Sequence, residues 1–478
     1  MTHQNQDHFI DGICAVPAAG AYIDGFDPIT GEVNRRVALG DSTDVDRAVA
    51  AAAKALPAWR DMRPSARGRI LVDIGRRIRE RAGDFAAIER RETGKALPMA
   101  RFEIEGAAQY FEFYGGLVNA IHGETINIGA GYHSYTRREP FGVVGAILPW
   151  NAPMNQAGRS CAPALAAGNT VVAKPSECTP GTILKIAQMA VEECGLPRGV
   201  FNVVLGMGKG AGEPLVSHKD VRKVAFTGSL RAGQEIGRIA SQRILPLTLE
   251  LGGKSPNIVF ADADFDAAIA GVLKGFLTHA GQVCLAGTRV LVERSIHDRF
   301  VEALASAVTR QPIGTDDSVV GPMTTHAQFE KVQSYYEIAR SEGAMAVAGG
   351  KLPSDERLAK GWFVSPTLYT NVTTDMRIYR EEVFGPVAVV VPFEDEAQAI
   401  AIANDTEFGL AAGIWTRDLA RAHRVAAQVE AGQIYVNEYM AGGVETPLGG
   451  YKLSGYGRER GLESLHHYTQ LKCVTVKL

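Results

Sequence analysis

At 478 residues the chain is too long for one compact core, and about 150 residues per domain predicts two or three domains. Its 50 Lys+Arg nearly balance 53 Asp+Glu for a formal net charge of -3, and like charges stop at pairs such as Arg90-Arg91 between Glu89 and Glu92. That pattern excludes the basic footprint of a nucleic-acid binder or a membrane-surface anchor. No run approaches the roughly 18 apolar residues of a membrane span, and the start, 1–7, is polar rather than basic then apolar, so a cytoplasmic protein with a small soluble ligand is expected.

Glycine, at 52 of 478 residues, exceeds the usual proportion of about 7% without a collagen period, which points to the many tight turns of an α/β protein. In chain order, turn signals stand at Asp27-Pro28 and Thr30-Gly31. Ser42 or Thr43 is expected to cap a helix whose Val45, Val49, Ala52 and Ala53 share one face before Trp59. A second amphipathic segment covers 66–92. The stretch 127–138 alternates and carries Gly129 and Gly131, which predicts a two-stranded ribbon standing as an arm rather than as core. From Phe141 onward, short β-branched runs at 143–148, 170–174, 201–205, 221–226, 257–260 and 387–391 alternate with helical patterns. This is the texture of βαβ units around parallel sheet. The end, 468–478, alternates again, as an edge strand for the arm.

Several constellations carry chemistry. Gly206-Met207-Gly208-Lys209-Gly210-Ala211 fits a dinucleotide loop after a strand, but no acid follows at the distance that would hold a ribose, so a plain turn is preferred. Val224 to Ser229 is the better cradle. There a strand enters a helix through Gly228-Ser229, with Gly233 a turn later, so that free N–H groups face a pyrophosphate. Asp262, Asp264 and Asp266 mimic the opening of a calcium loop, but Ala267 and Leu273 replace the required Gly and Glu. Helix capping is the expectation, and no metal. The six cysteines show neither CxxC nor metal-ligand spacing, which leaves buried thiols or a reactive one. Glu250 in an apolar run and Cys284 in a Gly-flanked loop, taken singly, read as a structural carboxylate and an inert thiol.

Together they resemble the aldehyde dehydrogenase superfamily, nicotinamide-dependent enzymes that oxidise aldehydes through a thioester. The likeness runs from Phe9-Ile10-Asp11-Gly12 to the end. It rests on Pro149-Trp150-Asn151, Lys174-Pro175-Ser176-Glu177, Phe226-Thr227-Gly228-Ser229, Leu249-Glu250-Leu251-Gly252-Gly253, Gly281-Gln282-Val283-Cys284, Glu381-Glu382-Val383-Phe384-Gly385-Pro386, Pro447 to Lys452 and Ser454 to Glu459. The resemblance implies a doubly wound, Rossmann-like NAD-binding domain (1–120 and 141–252), a second α/β catalytic domain (253–460), and a small β oligomerisation arm (121–140 and 461–478). It makes Cys284 the nucleophile, Asn151 and the Cys284 N–H the oxyanion donors, and Glu250 the general base for water. Retention of Glu250 favours acid formation over transfer to coenzyme A. Glu459 matches a possible proton relay, or else partners Arg458 or Arg460. Trp150, Lys174, Ser176, Glu177, Gly228, Ser229, Glu382 and Phe384 match cofactor-binding positions, and Glu177 would repel a 2′-phosphate, so NAD is expected over NADP.

Departures from the family pattern bear on substrate. Ala152, Arg159, Gly442 and Leu448 stand where members for small aliphatic aldehydes carry rings, and Val283 and Leu285 flank the nucleophile. These six predict a widened apolar pocket for a bulky apolar, aromatic or terpenoid aldehyde. The alternative is a semialdehyde whose carboxylate Arg159 binds. His279 stands where Asn is common, either assisting the thiol or packing the loop, and loop packing is preferred. Ser160 replaces a lysine, and Cys161 lies near Arg159 and Asn151. A homodimer or homotetramer is expected, with Gln470 and Cys473 at its interface. The rivals are a non-catalytic relative, which should have lost Cys284, Glu250 or Asn151, and a thiol hydrolase without redox chemistry.

Overall fold

The computed structural model describes residues 5–315 and 320–478; residues 1–4 of the polar start lie outside the described residues. The first long helix is Ser42–Asp61, and its cap is Asp41 rather than Ser42 or Thr43. The Asp41 carboxylate accepts from the Thr43 N–H and Asp44 reaches back to the Asp41 N–H, a capping box that satisfies donors at the helix start. Segment 66–92 divides into Pro64–Glu80 and Ala82–Thr93, interrupted at Arg81 (φ -111°, ψ 21°).

The expected runs form strands of two sheets. In the first, Phe201–Val203, Thr170–Lys174, Val143–Ile147, Val221–Thr227 and Leu247–Glu250 lie side by side and parallel. Antiparallel strands flank it, Gly455–Tyr456 at one edge and the hairpin His8–Ile10 and Ile13–Ala15 at the other, with Ile13–Ala15 outermost. Chain order runs outward in both directions from Val143–Ile147, so the doubly wound switch point falls between that strand and Val221–Thr227. The crevice beyond the carboxyl ends there is where such sheets bind ligands. Gly455–Tyr456, inside the span expected for the second domain, thus closes the first sheet.

The second sheet runs Met345–Ala348, Thr367–Thr370, Val387–Phe393, Arg289–Glu293, Pro256–Val259, Ala411–Trp415 and Gln433–Val436, parallel except at the first pair. Each sheet is buried on both faces, which explains why its strands read as continuous apolar runs. Gly206-Met207 passes into a short turn of helix, Gly208–Gly212. Asp264 caps Phe265–Leu277, while Asp262 accepts from Thr416, Arg417, Asp418 and Arg421.

The arm has three strands. Thr469–Lys477 pairs antiparallel with Tyr132–Pro140 along its whole length, and Thr125–Ile126 takes the other edge. No helix among the described residues is long and apolar enough to cross a membrane.

Candidate active site

The switch-point crevice holds a cavity of about 150 Å³ whose wall brings Cys284, Glu250 and Asn151 together with Gly228, Glu382 and Phe384. Each arrives from a different element. Asn151 follows Val143–Ile147, Gly228 follows Val221–Thr227, and Glu250 ends Leu247–Glu250 as the register partner of Thr227. Cys284 follows three residues in left-handed backbone, His279 (φ 48°), Ala280 (φ 52°) and Gly281 (φ 73°). A Cβ on Gly281 would lie 2.1 Å from the Gly385 carbonyl oxygen, so this bend requires glycine.

Burial pushes the Cys284 thiol up to about 11, with Glu250 and Glu382 adding to it and Arg159 and Arg460 opposing. The sulfur therefore rests protonated and needs a base. Glu250 supplies the complementary perturbation. Burial first, then Glu459, raise its carboxyl to about 8 against Arg159, Arg458 and Arg460, and its Oε1 is buried without a hydrogen-bond partner. A carboxylate so held titrates near neutrality, as a general base must. Asn151 donates one amide hydrogen to the Gln282 carbonyl at 2.9 Å; an amide has two, and the second is free for the cavity that Asn151 lines.

Arg159 differs from the expectation of a substrate anchor. It is 2% exposed, forms an ion pair with Glu459 and donates to Thr227 Oγ1 at 3.1 Å. Its charge is already used, and no substrate carboxylate is needed to balance it. Glu459 also accepts from Ser160 at 3.0 Å, so its partner is Arg159 rather than Arg458 or Arg460. The six residues expected to widen a substrate pocket lie outside the wall of the Cys284 cavity. Leu285 and Leu448 are core residues and Val283 packs on the same core. Ala152 caps Pro153–Ala166, Arg159 is paired, and Gly442 sits in a separate open recess with Tyr435 and Pro447.

His279 is buried and its Nε2 lacks a partner. Burial, and Lys95 nearby, drive its pKa well below the usual imidazole value, so it stays neutral and packs the loop. Cys161 is fully buried and its thiol is pushed strongly up, by burial foremost, which makes it inert.

The expected cofactor residues fall in two groups. Trp150, Gly228, Ser229, Glu382 and Phe384 share the Cys284 cavity, with the Trp150 and Phe384 rings edge to face at 5.4 Å. Glu382 Oε1 accepts from the Gly253 N–H at 3.0 Å. A Cβ on Gly252 would lie 2.2 Å from Glu382 Oε2, so glycine keeps that oxygen accessible. Ser229 caps Leu230–Ser241 by accepting from Ala232. The second group is Lys174, Ser176 and Glu177. Lys174 Nζ lies 3.6 Å from Glu177, Ser176 Oγ accepts from the Cys178 N–H, and Glu177 faces a neighbouring cavity.

Sequence reasoning passed over three wall residues, Gln156, Gln328 and Lys331. Gln328 and Lys331, three apart on His326–Ser341, grip the loop by donating to the carbonyls of Val383, Phe384 and Glu382. Gln156 and Thr227 complete the wall. The helical spacing of Gln328 and Lys331 was the available signal.

A doubly wound sheet whose switch point presents a half-buried thiol, a carboxyl group raised toward neutrality and an amide donor defines an enzyme site built on a cysteine nucleophile. The sequence matches the aldehyde dehydrogenase family over residues 16–474, and the chain belongs to that family. It is 44% identical to the betaine aldehyde dehydrogenase of Sinorhizobium fredii, covering 98% of this chain and 96% of that one. Among solved structures, PnpE from Pseudomonas sp. WBC-3 superposes with a TM-score of 0.97 at 40% identity, covering 99% of this chain and 98% of that one. Betaine aldehyde dehydrogenase from Staphylococcus aureus in complex with NAD+ gives a TM-score of 0.97 at 38% identity, covering 99% and 95%.

Proposed function

We propose that the chain oxidises a small polar aldehyde to its carboxylic acid, with NAD as oxidant and water as the second reactant. The observation that carries the reading is one cavity holding Cys284, the unpartnered oxygen of Glu250 and the amide of Asn151. The Cys284 sulfur bonds to the aldehyde carbon as its proton passes to Glu250. The carbonyl oxygen gains charge, which Asn151 Nδ2 and the Cys284 N–H stabilise; one such donor is worth about 3 kcal/mol. NAD, when bound, supplies the two-electron acceptor for the carbon-bound hydrogen, leaving an acyl thioester on Cys284. Glu250, its proton released to solvent, takes one from water as the water oxygen bonds to the thioester carbon. The C–S bond breaks, the acid leaves, and the sulfur is reprotonated.

The residues fit the cofactor. Glu382 with its accessible oxygen, Phe384 and Trp150 would hold the nicotinamide end, Gly228 and Ser229 the diphosphate, and Lys174, Ser176 and Glu177 the adenosine end. The Glu177 carboxylate favours NAD over NADP. In domain terms, 1–120 and 141–252 bind NAD, 253–460 carry the nucleophile, and 121–140 with 461–478 mediate assembly into a homodimer or homotetramer. Exposed Leu471 and Val476 on a paired ribbon support that assembly.

Small size and polarity are both supported by the relatives named for betaine aldehyde. A terpenoid fits neither. A second reading concerns charge. The Arg460 guanidinium has no acidic partner among the described residues, and its Nε is buried and unbonded. Its charge is felt at Cys284, Glu250 and Tyr435. That favours an aldehyde bearing a carboxylate, with Arg460 rather than Arg159 as anchor. NADH formation across betaine aldehyde, short semialdehydes and an aromatic aldehyde tests both. One of the first two classes should win, and preference for semialdehydes should fall about tenfold or more in Arg460→Leu. Best turnover on the aromatic aldehyde, or turnover surviving Cys284→Ala, overturns the reading.

A further inference from the structure

The buried cluster on the far side of Asn151 from the cavity has no part in the steps above. Lys95, between the helices Ala82–Thr93 and Leu97–Gly116, is 2% exposed. Its Nζ donates to Glu103 Oε2 at 2.5 Å, to Glu89 Oε1 at 3.2 Å and to the main-chain carbonyl of Asn151 at 2.8 Å. All three ammonium hydrogens are committed, and one of them holds the residue expected to stabilise the oxyanion.

The hydrogen bonds continue into a ring. Asn151 Nδ2 donates to the Gln282 carbonyl at 2.9 Å. Gln282 Oε1 accepts from the Thr324 N–H at 2.9 Å, and Thr324 Oγ1 donates to the Thr93 carbonyl at 3.0 Å. Thr93 is two residues from Lys95, so the ring closes, every member buried. Gln282 is also tied to the His279 and Pro322 carbonyls, which joins the ring to the loop that delivers Cys284. The amide of Asn151 is therefore held from both ends, its backbone by Lys95 and its side chain by Gln282.

A buried ion cluster is a poor device for stability, since apolar residues of similar volume usually serve as well or better. As a positional device it is effective, because charge-assisted bonds are short and directional. Oxyanion donors act only when fixed in advance where charge will develop.

We propose that Lys95 is a positioning residue for the oxyanion amide: fixed by Glu103 and Glu89, it clamps the Asn151 backbone so that the second amide hydrogen meets the oxygen of the thiohemiacetal on Cys284. This rests on the aldehyde-oxidising reading above. The test is a double-mutant cycle on the NADH burst, which reports acylation. Asn151→Ala alone slows the burst about 100-fold. Glu89→Gln/Lys95→Met/Glu103→Gln removes every charge of the cluster, so no buried ion is stranded. It slows the burst about tenfold and leaves the KM for NAD within about twofold. In that background Asn151→Ala costs only about tenfold more, because the amide is already misplaced. Equal penalties in the two backgrounds overturn the proposal, as does a burst unaffected by the triple change. Glu103→Gln gives the same non-additivity at smaller amplitude if the triple variant does not fold. Acylation of Cys284 by an activated ester, followed without NAD, carries the same cycle, so an enzyme that made no NADH would refute the activity and still report on Lys95.

Discussion

Two buried charge clusters flank one cavity, and they are built to opposite ends. Around Glu250, Arg159 is ion-paired to Glu459, and Glu250 feels that cation without pairing to it and keeps a buried oxygen without a partner. Around Lys95, the ammonium is saturated by Glu89, Glu103 and the Asn151 carbonyl. In the first, incomplete pairing together with burial moves a carboxyl pKa to about 8, where a proton can come and go. In the second, an ammonium with all three hydrogens bonded holds the Asn151 backbone still, although Glu89 Oε2 is also buried without a partner. Burial alone thus does not make a catalytic carboxylate; Glu89 is raised too, by burial before the opposing Lys95, yet it faces no water and no substrate. The difference lies in which oxygen is left over and where it points.

The contrast breaks first at Glu250. Replacing it with Gln removes the acceptor of both the thiol proton and the water proton, so the NADH burst should form more slowly while still reaching one equivalent per site, and steady-state turnover should fall about 10³-fold, the usual size of a general-base contribution. The acyl enzyme should accumulate and be visible as a mass increase on the intact chain. A Glu250→Gln enzyme turning over within tenfold of the parent would show that another group activates water. In the parent, the ionised form is the active one, so turnover limited by thioester hydrolysis should rise with pH and level off above about 8.

How much of this was legible beforehand follows from how local each feature is. The apolar runs of the sheets, Cys284 and Glu250 stand in contiguous motifs, and the parallel α/β fold follows from runs buried on both faces. Arg159 was visible as a departure but not as a pair, because Glu459 lies 300 positions away and a pairing through space leaves no periodicity. The contact between Lys95 and the Asn151 carbonyl escaped for the same reason. The expected wide pocket had another cause. Loss of rings at Gly442 and Leu448 was read as empty space, whereas the chain fills one position with core and opens the other to a separate recess. Asp41 was missed as a cap because Ser42 and Thr43 beside it are equally good cap residues.

A gentler change sharpens the comparison at Glu459. Its carboxylate is the leading charge that raises Glu250, while Arg159 opposes it. Glu459→Gln keeps an acceptor for Ser160 and Arg159 but removes that charge, so Glu250 should ionise more readily. The rising limb of the pH profile should move about one unit toward acid, with the alkaline plateau within about threefold of the parent. A plateau that collapses instead would make Glu459 a carrier of protons rather than a tuner of Glu250.

The smallest effect is expected at Cys161, two residues beyond Arg159 on Pro153–Ala166. Its thiol is fully buried in the first core, burial drives its ionisation strongly up, and Glu459 adds to the same direction. Cys284 is only half-buried, Arg159 and Arg460 pull against the burial that raises it, and it lines the cavity. Cys161→Ala should therefore hold kcat/KM within about twofold and cost about 1 kcal/mol in unfolding free energy, the price of a small core cavity. Alkylation of the folded enzyme should modify Cys284 and spare Cys161. Equal labelling of the two would mean that neither burial nor the cations around Cys284 decide which thiol reacts, and a Cys161→Ala enzyme with a shifted pH profile would mean that Cys161 is coupled to Glu250.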